Sequence, residues 1–416
     1  MAGRPGPPRL GPLLLLSLWG SSAPAPLLRR LAEHIERFQE GSGLGLGFGP
    51  NALVPPKQGW LEQPLDPFNT SDQRSFLQRY WVNDQHWASR HGPVFLHLGG
   101  EGSLRPGSVT RGHPAALAPA WGALVIGLEH RFYGLSIPAG GLDMAQLRFL
   151  SSRHALADIA SARLALGRLF NVSSSSPWIC FGGSYAGSLA AWARLKFPHL
   201  IFASVASSAP VRAVLDFSEY NEVVSRSLTS AAVGGSPEVV IHSLGQRCLS
   251  FSRAETVAQL KVTESQVSGV GDRQWLYQTC TEFGFYVTCE DPSCPFSQVP
   301  ALPSQLELCQ QVFGLSTSSV AQAVTQTNSY YGGQTPGATQ VLFVNGDTDP
   351  WHALSVTQAS GPSASALLIP GASHCMDMAP ERPSDSPSLR RGRQSISQQL
   401  QTWLGMAQRS QARGGD

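Results

Sequence analysis

The sequence has little charge. Charged residues fill 14% of its 416 positions, against roughly 25% in an ordinary globular chain. Thirty basic residues nearly cancel 28 acidic ones, leaving a net charge of +2. Such a balance provides no basic surface for nucleic-acid phosphates, so no nucleic-acid partner is expected. Long apolar runs are also missing. A membrane span needs roughly 20 apolar residues, and no stretch after the N-terminal leader approaches that length. The leader itself, MAGRPGPPRLGPLLLLSLWGSSAPA, sets Arg4 and Arg9 before an apolar run from Leu13 to Trp19, followed by the small residues Gly20 to Ala23. It reads as a secretory signal peptide over residues 1–24 rather than a span.

Histidine is absent where the cysteines gather. Of Cys180, Cys248, Cys280, Cys289, Cys294, Cys309 and Cys375, four crowd between Cys280 and Cys309. The Cys289-x4-Cys294 spacing suggests zinc only if a histidine accompanies it, and the compartment implied by the leader is oxidising. Disulfides are therefore expected, and no metal. An odd cysteine count leaves at least one thiol without an intrachain partner. The sequons Asn69-Thr70-Ser71 and Asn171-Val172-Ser173 suit glycosylation of Asn69 and Asn171 on the same route.

What is present is apolar content of 42%, enough for a sizeable core. Short apolar runs alternate with helical patterns, the signature of an α/β protein with a parallel sheet covered by helices. The runs are Pro93 to Leu98, Ala123 to Leu128, Trp178 to Phe181, Phe202 to Ala206, Gln340 to Val344 and Ala366 to Ile369. From Phe217 to Thr325 the sequence turns polar, Ser-rich and cysteine-bearing, and reads as an insertion on the sheet. The expected division is a core over 25–215, an insertion over 216–325, a second core part over 326–406 and a polar, frayed tail over 407–416. Ile396, Leu400, Trp403 and Leu404 share one face of a last helix. No internal repeat is visible.

WICFGGSYAGSLAAW, from Trp178 to Trp192, joins an apolar run to a Gly-Gly-Ser turn and a small-residue helix. That is the pattern of a nucleophile elbow, which exposes the Ser184 hydroxyl at the carboxyl end of a sheet and aims the following amide, that of Tyr185, at an oxyanion. The pattern departs from G-x-S-x-G, because Ala186 stands where the second glycine belongs and Gly187 follows it. A serine needs a base, and the base an orienting carboxylate, in the chain order Ser, Asp, His on this fold. VLFVNGDTDPWHAL supplies Asp347 and Asp349 after one run, and LLIPGASHCMD supplies His374 after the next. The Gly99-Gly100 turn of HLGGEG follows a strand where hydrolases place the second oxyanion amide, here Gly100. Glu129, His130 and Arg131 read first as a structural network, and His97 as a strand residue packed near the core.

FGGSYAGSLAAW, VNGDTDPW and GASHCMD, with LEQPLDPFN, QRYWVND, HLGGEGS and EHRFYGLS upstream, resemble the serine peptidase family of lysosomal Pro-Xaa carboxypeptidase and dipeptidyl peptidase II. The resemblance implies an α/β-hydrolase fold with an inserted helical cap, and a triad of Ser184, Asp349 and His374. Asp349 is chosen over Asp347 because it precedes Pro-Trp. It also implies peptide substrates, exopeptidase-like cleavage, an acyl-enzyme, no cofactor, optionally a homodimer, and work in endosomes or lysosomes that includes antigen presentation. Family relatives often carry glutamate where Leu135 stands and histidine where Pro67 stands, which bears on substrate preference. Their cap is also longer than the segment here, and the join GGSPEVVIHSLG is abrupt, so a shortened cap is expected. A catalytically weak binding form and an esterase or lipase are the alternatives.

Overall fold

The computed structural model describes residues 55–229, 252–264, 271–290, 294, 301–359 and 364–413. The leader, Cys248 and the join GGSPEVVIHSLG lie outside them.

Ten strands are described: β1 (Lys57–Pro64), β2 (Ser75–Asn83), β3 (Val94–Leu98), β4 (Leu124–Leu128), β5 (Trp178–Gly183), β6 (Ala203–Ser207), β7 (Val214–Asp216), β8 (Gly284–Tyr286), β9 (Val341–Gly346) and β10 (Ala364–Ile369). Eight form one sheet in the order β1-β2-β4-β3-β5-β6-β9-β10. β1 pairs antiparallel with β2, and β2 with β4, while the neighbours from β4 to β10 run parallel. The six apolar runs of the sequence are the six parallel strands. The inner ones, being covered on both faces, need no polar alternation, and β4, β6 and β9 are buried at every position.

The helices used below are α1 (Gly112–Trp121), α2 (Ser152–Leu169), α3 (Tyr185–Lys196), α4 (Glu219–Thr229), α5 (Arg253–Leu260), α6 (Asp272–Gln278), α7 (Leu302–Phe313), α8 (Thr317–Tyr331) and α9 (Pro387–Arg413). Leu96, Ile126, Cys180 and Phe343 point from the sheet to a core shared with α2 and α3. Phe95, Val125, Ile179 and Leu342 point oppositely, to a core shared with α1 and α9. The period-two geometry of strands thus produces three layers. On α9 the predicted stripe of Ile396, Leu400, Trp403 and Leu404 is buried, each side chain contributing about 1.5–3 kcal/mol by leaving water. α9 also extends past residue 406, where a frayed tail was expected, as far as Arg413. Buried Ala407 anchors this continuation.

The chain leaves β3 for β4 on one side and then crosses back to β5 on the other. Connections following adjacent strands β3 and β5 therefore diverge, which opens a crevice at their carboxyl ends. Between β6 and β9 the chain builds α4 to α8 and the two-stranded sheet of β7 with β8. A π-helical turn, Thr279–Phe283, follows α6 and carries Cys280, which a disulfide ties to Cys309 on α7. The Cys289–Cys294 pair is a second disulfide, so that spacing serves a covalent link. Cys180 and Cys375 carry free thiols.

Glu129 and Arg131 do form structural ion pairs. Arg131 makes a two-pronged contact with Asp158, at 2.7 and 2.6 Å, and Glu129 meets Arg79 at 2.5 Å while accepting hydrogen bonds from Leu104, Leu135 and Ser136. They fasten the loop after β4 to β2 and α2. Leu400→Ala is expected to lower unfolding free energy by about 2–5 kcal/mol through cavity formation. Denaturant titration checks this as a lower midpoint at an unchanged slope.

Candidate active site

β5 ends in a turn that the backbone can close only with very small residues. A Cβ on Gly182 would lie 2.0 Å from the Ala186 carbonyl oxygen, and one on Gly187 would lie 2.7 Å from the Ser207 carbonyl oxygen. Position 186 itself has room for a methyl, which accounts for alanine in the place of the motif's second glycine. Between these close approaches Ser184 adopts φ 59° and ψ −131°, a conformation that costs a non-glycine residue about 1–3 kcal/mol. Its amide donates to Ser207 O at 2.9 Å, and its carbonyl accepts from Ser188 N at 3.1 Å. The result is a serine side chain aimed into the β3–β5 crevice with α3 starting at its shoulder.

Asp349 follows β9 and is fully buried. Its Oδ1 accepts from the Trp351 amide at 3.1 Å and pairs with His374 Nδ1 at 3.0 Å. Asp347 is exposed, and its Oδ1 accepts from the Gly371 amide at 2.7 Å. One aspartate therefore pairs with the histidine while the other accepts from the turn after β10. Thr348 binds Ala372 O through its hydroxyl at 2.7 Å, tying the loop after β9 to the loop that carries His374. Burial opposes a charged His374, but the Asp349 carboxylate, and after it the Cys375 sulfur, outweigh burial and hold the imidazole well above its usual range. Ser184 and His374 share the crevice without a direct hydrogen bond between them, a separation that ligand-free hydrolases commonly close on binding.

Both expected oxyanion donors flank Ser184. Tyr185 begins α3, where helix amides have no intrahelical acceptor. Gly100 packs against Ala186, its would-be Cβ lying 3.4 Å from the alanine Cβ. The Tyr185 side chain runs the other way, into a buried polar chain. His130 Nδ1 donates to Arg131 O at 2.6 Å, since a carbonyl only accepts, so its Nε2 accepts from the Tyr185 hydroxyl at 2.9 Å. Gln278 of α6 donates to Tyr185 at 2.9 Å and accepts from Tyr133 at 2.7 Å. Burial lowers His130 to about 4, keeping it neutral in this chain.

Three groups at the site escape a reading of spacing. Glu101 follows the Gly99-Gly100 turn, and burial pushes its carboxyl up. Asp377 accepts from the Ser207 hydroxyl at 2.5 Å and is raised to about 6 by burial. Cys375 sits where a Gly183 Cβ would come within 2.9 Å of its sulfur. An acidic residue directly after a glycine turn at a strand end was the available sequence signal for the first. Elsewhere, Asn69 and Asn171 are exposed. A surface depression of about 340 Å³ lined by Asp66, Phe68, Asn69, Arg148 and His154 holds none of the residues named for catalysis. No group of three or more metal-ligating side chains occurs among the described residues.

A parallel sheet reversing at β3 and β5, a serine at the β5–α3 elbow, and an acid and a histidine after the next strands define an α/β-hydrolase of the serine type. The profile described as Serine carboxypeptidase S28 matches residues 63–239 and 232–396. The chain belongs to that family, and it is a serine peptidase. It is 66% identical to the human thymus-specific serine protease, covering 97% of this chain and 98% of that one. It is 24% identical to the bovine lysosomal Pro-X carboxypeptidase, covering 83% and 87%. Among solved structures it aligns with a fungal esterase from Rhizomucor miehei at 11% identity and TM-score 0.47, covering 97% and 99%.

Gly182→Ala is expected to disrupt the elbow and cut fluorophosphonate labelling on the order of 10²-fold or more. Gly102→Ala, whose Cβ meets nothing within 4 Å, serves as the control and should label normally.

Proposed function

We propose that Ser184, His374 and Asp349 are the nucleophile, base and orienting acid of a peptidase that works through an acyl-enzyme. The observation that carries the reading is the 3.0 Å pairing of His374 with buried Asp349 beside a serine held at positive φ. Asp349 fixes the ring so that Nδ1 carries the proton and Nε2 is left to take the one on Ser184. Ser184 Oγ then attacks the peptide carbonyl, whose developing oxyanion meets the Tyr185 and Gly100 amides. His374 returns the proton to the leaving amine, and a water molecule repeats the sequence on the ester. An imidazolium formed in the first step is stabilised by the same carboxylate that raises the resting ring.

Peptide substrates and exopeptidase-like cleavage are supported by family membership and by the bovine relative's name. The leader, two sequons with exposed asparagines and two disulfides support the secretory route, with endosomes, lysosomes or secretion as the destination. No helix among the described residues is long and apolar enough to cross a membrane.

A second reading, a catalytically weak form, is favoured by the length of the segment between β6 and β9. The alignment with the human relative runs over 504 positions, more than this chain possesses, and the family profile matches in two pieces that meet at 232–239. On this reading residues 216–325 are a shortened cap, lacking part of the wall that holds a peptide in place. Grafting in the relative's full-length segment is expected to raise kcat/KM for peptides by on the order of 10²-fold, through better placement of the scissile bond. Equal activity of the two lengths rules the weak form out.

For the triad, labelling should vanish in Ser184→Ala and persist in Ser188→Ala. Asp349→Asn should lower turnover by about 10⁴-fold, while Asp347→Asn costs far less. Equal losses in the two aspartate variants would count against Asp349.

A further inference from the structure

Between β5, which presents Ser184, and β9, which leads to Asp349, lies β6, a strand that supplies none of the triad. Its last residue, Ser207, stands opposite Gly183 of β5 on one side and Val344 of β9 on the other. Ser207 and the Ser208 that follows it are both buried. Their polar atoms go to the three segments that carry the triad. The Ser207 carbonyl accepts from the Ser184 amide at 2.9 Å, and the Ser208 amide donates to Val344 O at 2.7 Å. Both hydroxyls turn to the loop that bears His374. Ser207 Oγ donates to Asp377 Oδ1 at 2.5 Å, and Ser208 Oγ accepts from the Cys375 amide at 2.9 Å.

That loop needs fastening, because Cys375, next to His374, adopts φ 54°, a conformation its surroundings must hold. Arg393 of α9 fixes the loop from the outer side, donating to the carbonyls of Met376, Asp377 and Ala379 at 2.9, 3.1 and 3.1 Å. Its ion pair, at 2.7 Å, is with Asp385. The Asp377 carboxylate is thus left to the Ser207 hydroxyl and its own amide, with burial opposing its charge. A buried acid placed for stability alone gains little from such a position. We propose, resting on the triad assignment, that Asp377 is a positioning residue, which through Ser207 holds the His374 loop in register with the elbow so that Nε2 faces Ser184 Oγ. One chain of bonds then joins base to nucleophile, from the Asp377 carboxylate to the Ser207 hydroxyl and from the Ser207 carbonyl to the Ser184 amide. Hydrogen bonds to an ionised acceptor are short and about twice as strong as neutral ones.

The test is fluorophosphonate labelling of the full-length chain across probe concentrations, which separates the maximal rate constant from probe binding and from the amount of folded protein. Ser207→Ala and Asp377→Ala should each lower the maximal rate constant by on the order of 10²-fold, at an unchanged half-saturating probe concentration. The double variant should be no slower than the slower single one, since one bond can be lost only once. Asp377→Asn, whose side-chain carbonyl still accepts from Ser207, should keep most of the rate. Single variants that label at the unmodified rate constant, or that only yield less labelled protein, overturn the proposal. So do losses that multiply in the double variant, or an Asp377→Asn as slow as Asp377→Ala. Should Asp377→Ala fail to fold, a slow Ser207→Ala beside a near-normal Asp377→Asn supports the role, and any other pairing overturns it. Labelling that survives Ser184→Ala removes the triad and this role with it. Labelling abolished by Ser184→Ala but unaffected by Ser207→Ala overturns the role of Asp377 and leaves the triad standing.

Discussion

The closeness of β5 to α3 is the constraint on which the rest depends. Gly182 and Gly187 let the strand and the helix approach to distances that a single methyl would forbid, and the turn between them has no conformation left but one with Ser184 at positive φ. Strain at that residue is held in place by the Ser207 carbonyl on one side and the first turn of α3 on the other. Everything else in the crevice is arranged around this fixed point. Gly100 packs against the helix start, and Cys375 and Met378 pack against Gly183.

Rigidity around that point comes from two sources of different character. Apolar side chains on both faces of the sheet supply most of the burial, without directional preference. Direction is added by a few buried charges: the two-pronged Arg131–Asp158 pair and the Glu129 carboxylate with its several donors. Breaking such a pair by removing one partner leaves an uncompensated buried charge, at about 3–5 kcal/mol. The loop after β4 is therefore fixed with little tolerance, and His130, which sits between those two charged residues, inherits its position from them.

Much of the core was legible because inner parallel strands, buried on both faces, appear as unbroken apolar runs, and all six runs, that of the edge strand β10 included, became strands. β1 and β2 were not anticipated. They lie at the sheet's outer side, with β1 largely exposed, so their apolar content is diluted by charged and polar residues. An aspartate after β9 and His374 could be read from order and spacing, the choice of Asp349 over Asp347 came from the resemblance, and the structure pairs Asp349 with His374. Glu101 and Asp377 could not. Their environment is made by residues distant in sequence, Ser207 among them for Asp377, and a carboxyl that looks solvated in a motif is pushed above the usual carboxylate range only where the fold buries it. The helical extent of α9 was missed for a related reason, because the buried contact of Ala407 is invisible in a polar stretch.

Tyr185 belongs to two places at once. Its amide opens α3 beside Ser184, while its phenol lies between His130 and Gln278, the latter on a helix of the inserted segment. A residue so divided makes the two regions thermodynamically reciprocal. Any molecule that binds better when α6 sits in one position changes the affinity of the crevice for an anion by some factor, and an anion in the crevice must change that molecule's affinity by the same factor. The hydrogen bond from Gln278 thus ties the position of α6 to the residue whose amide opens α3.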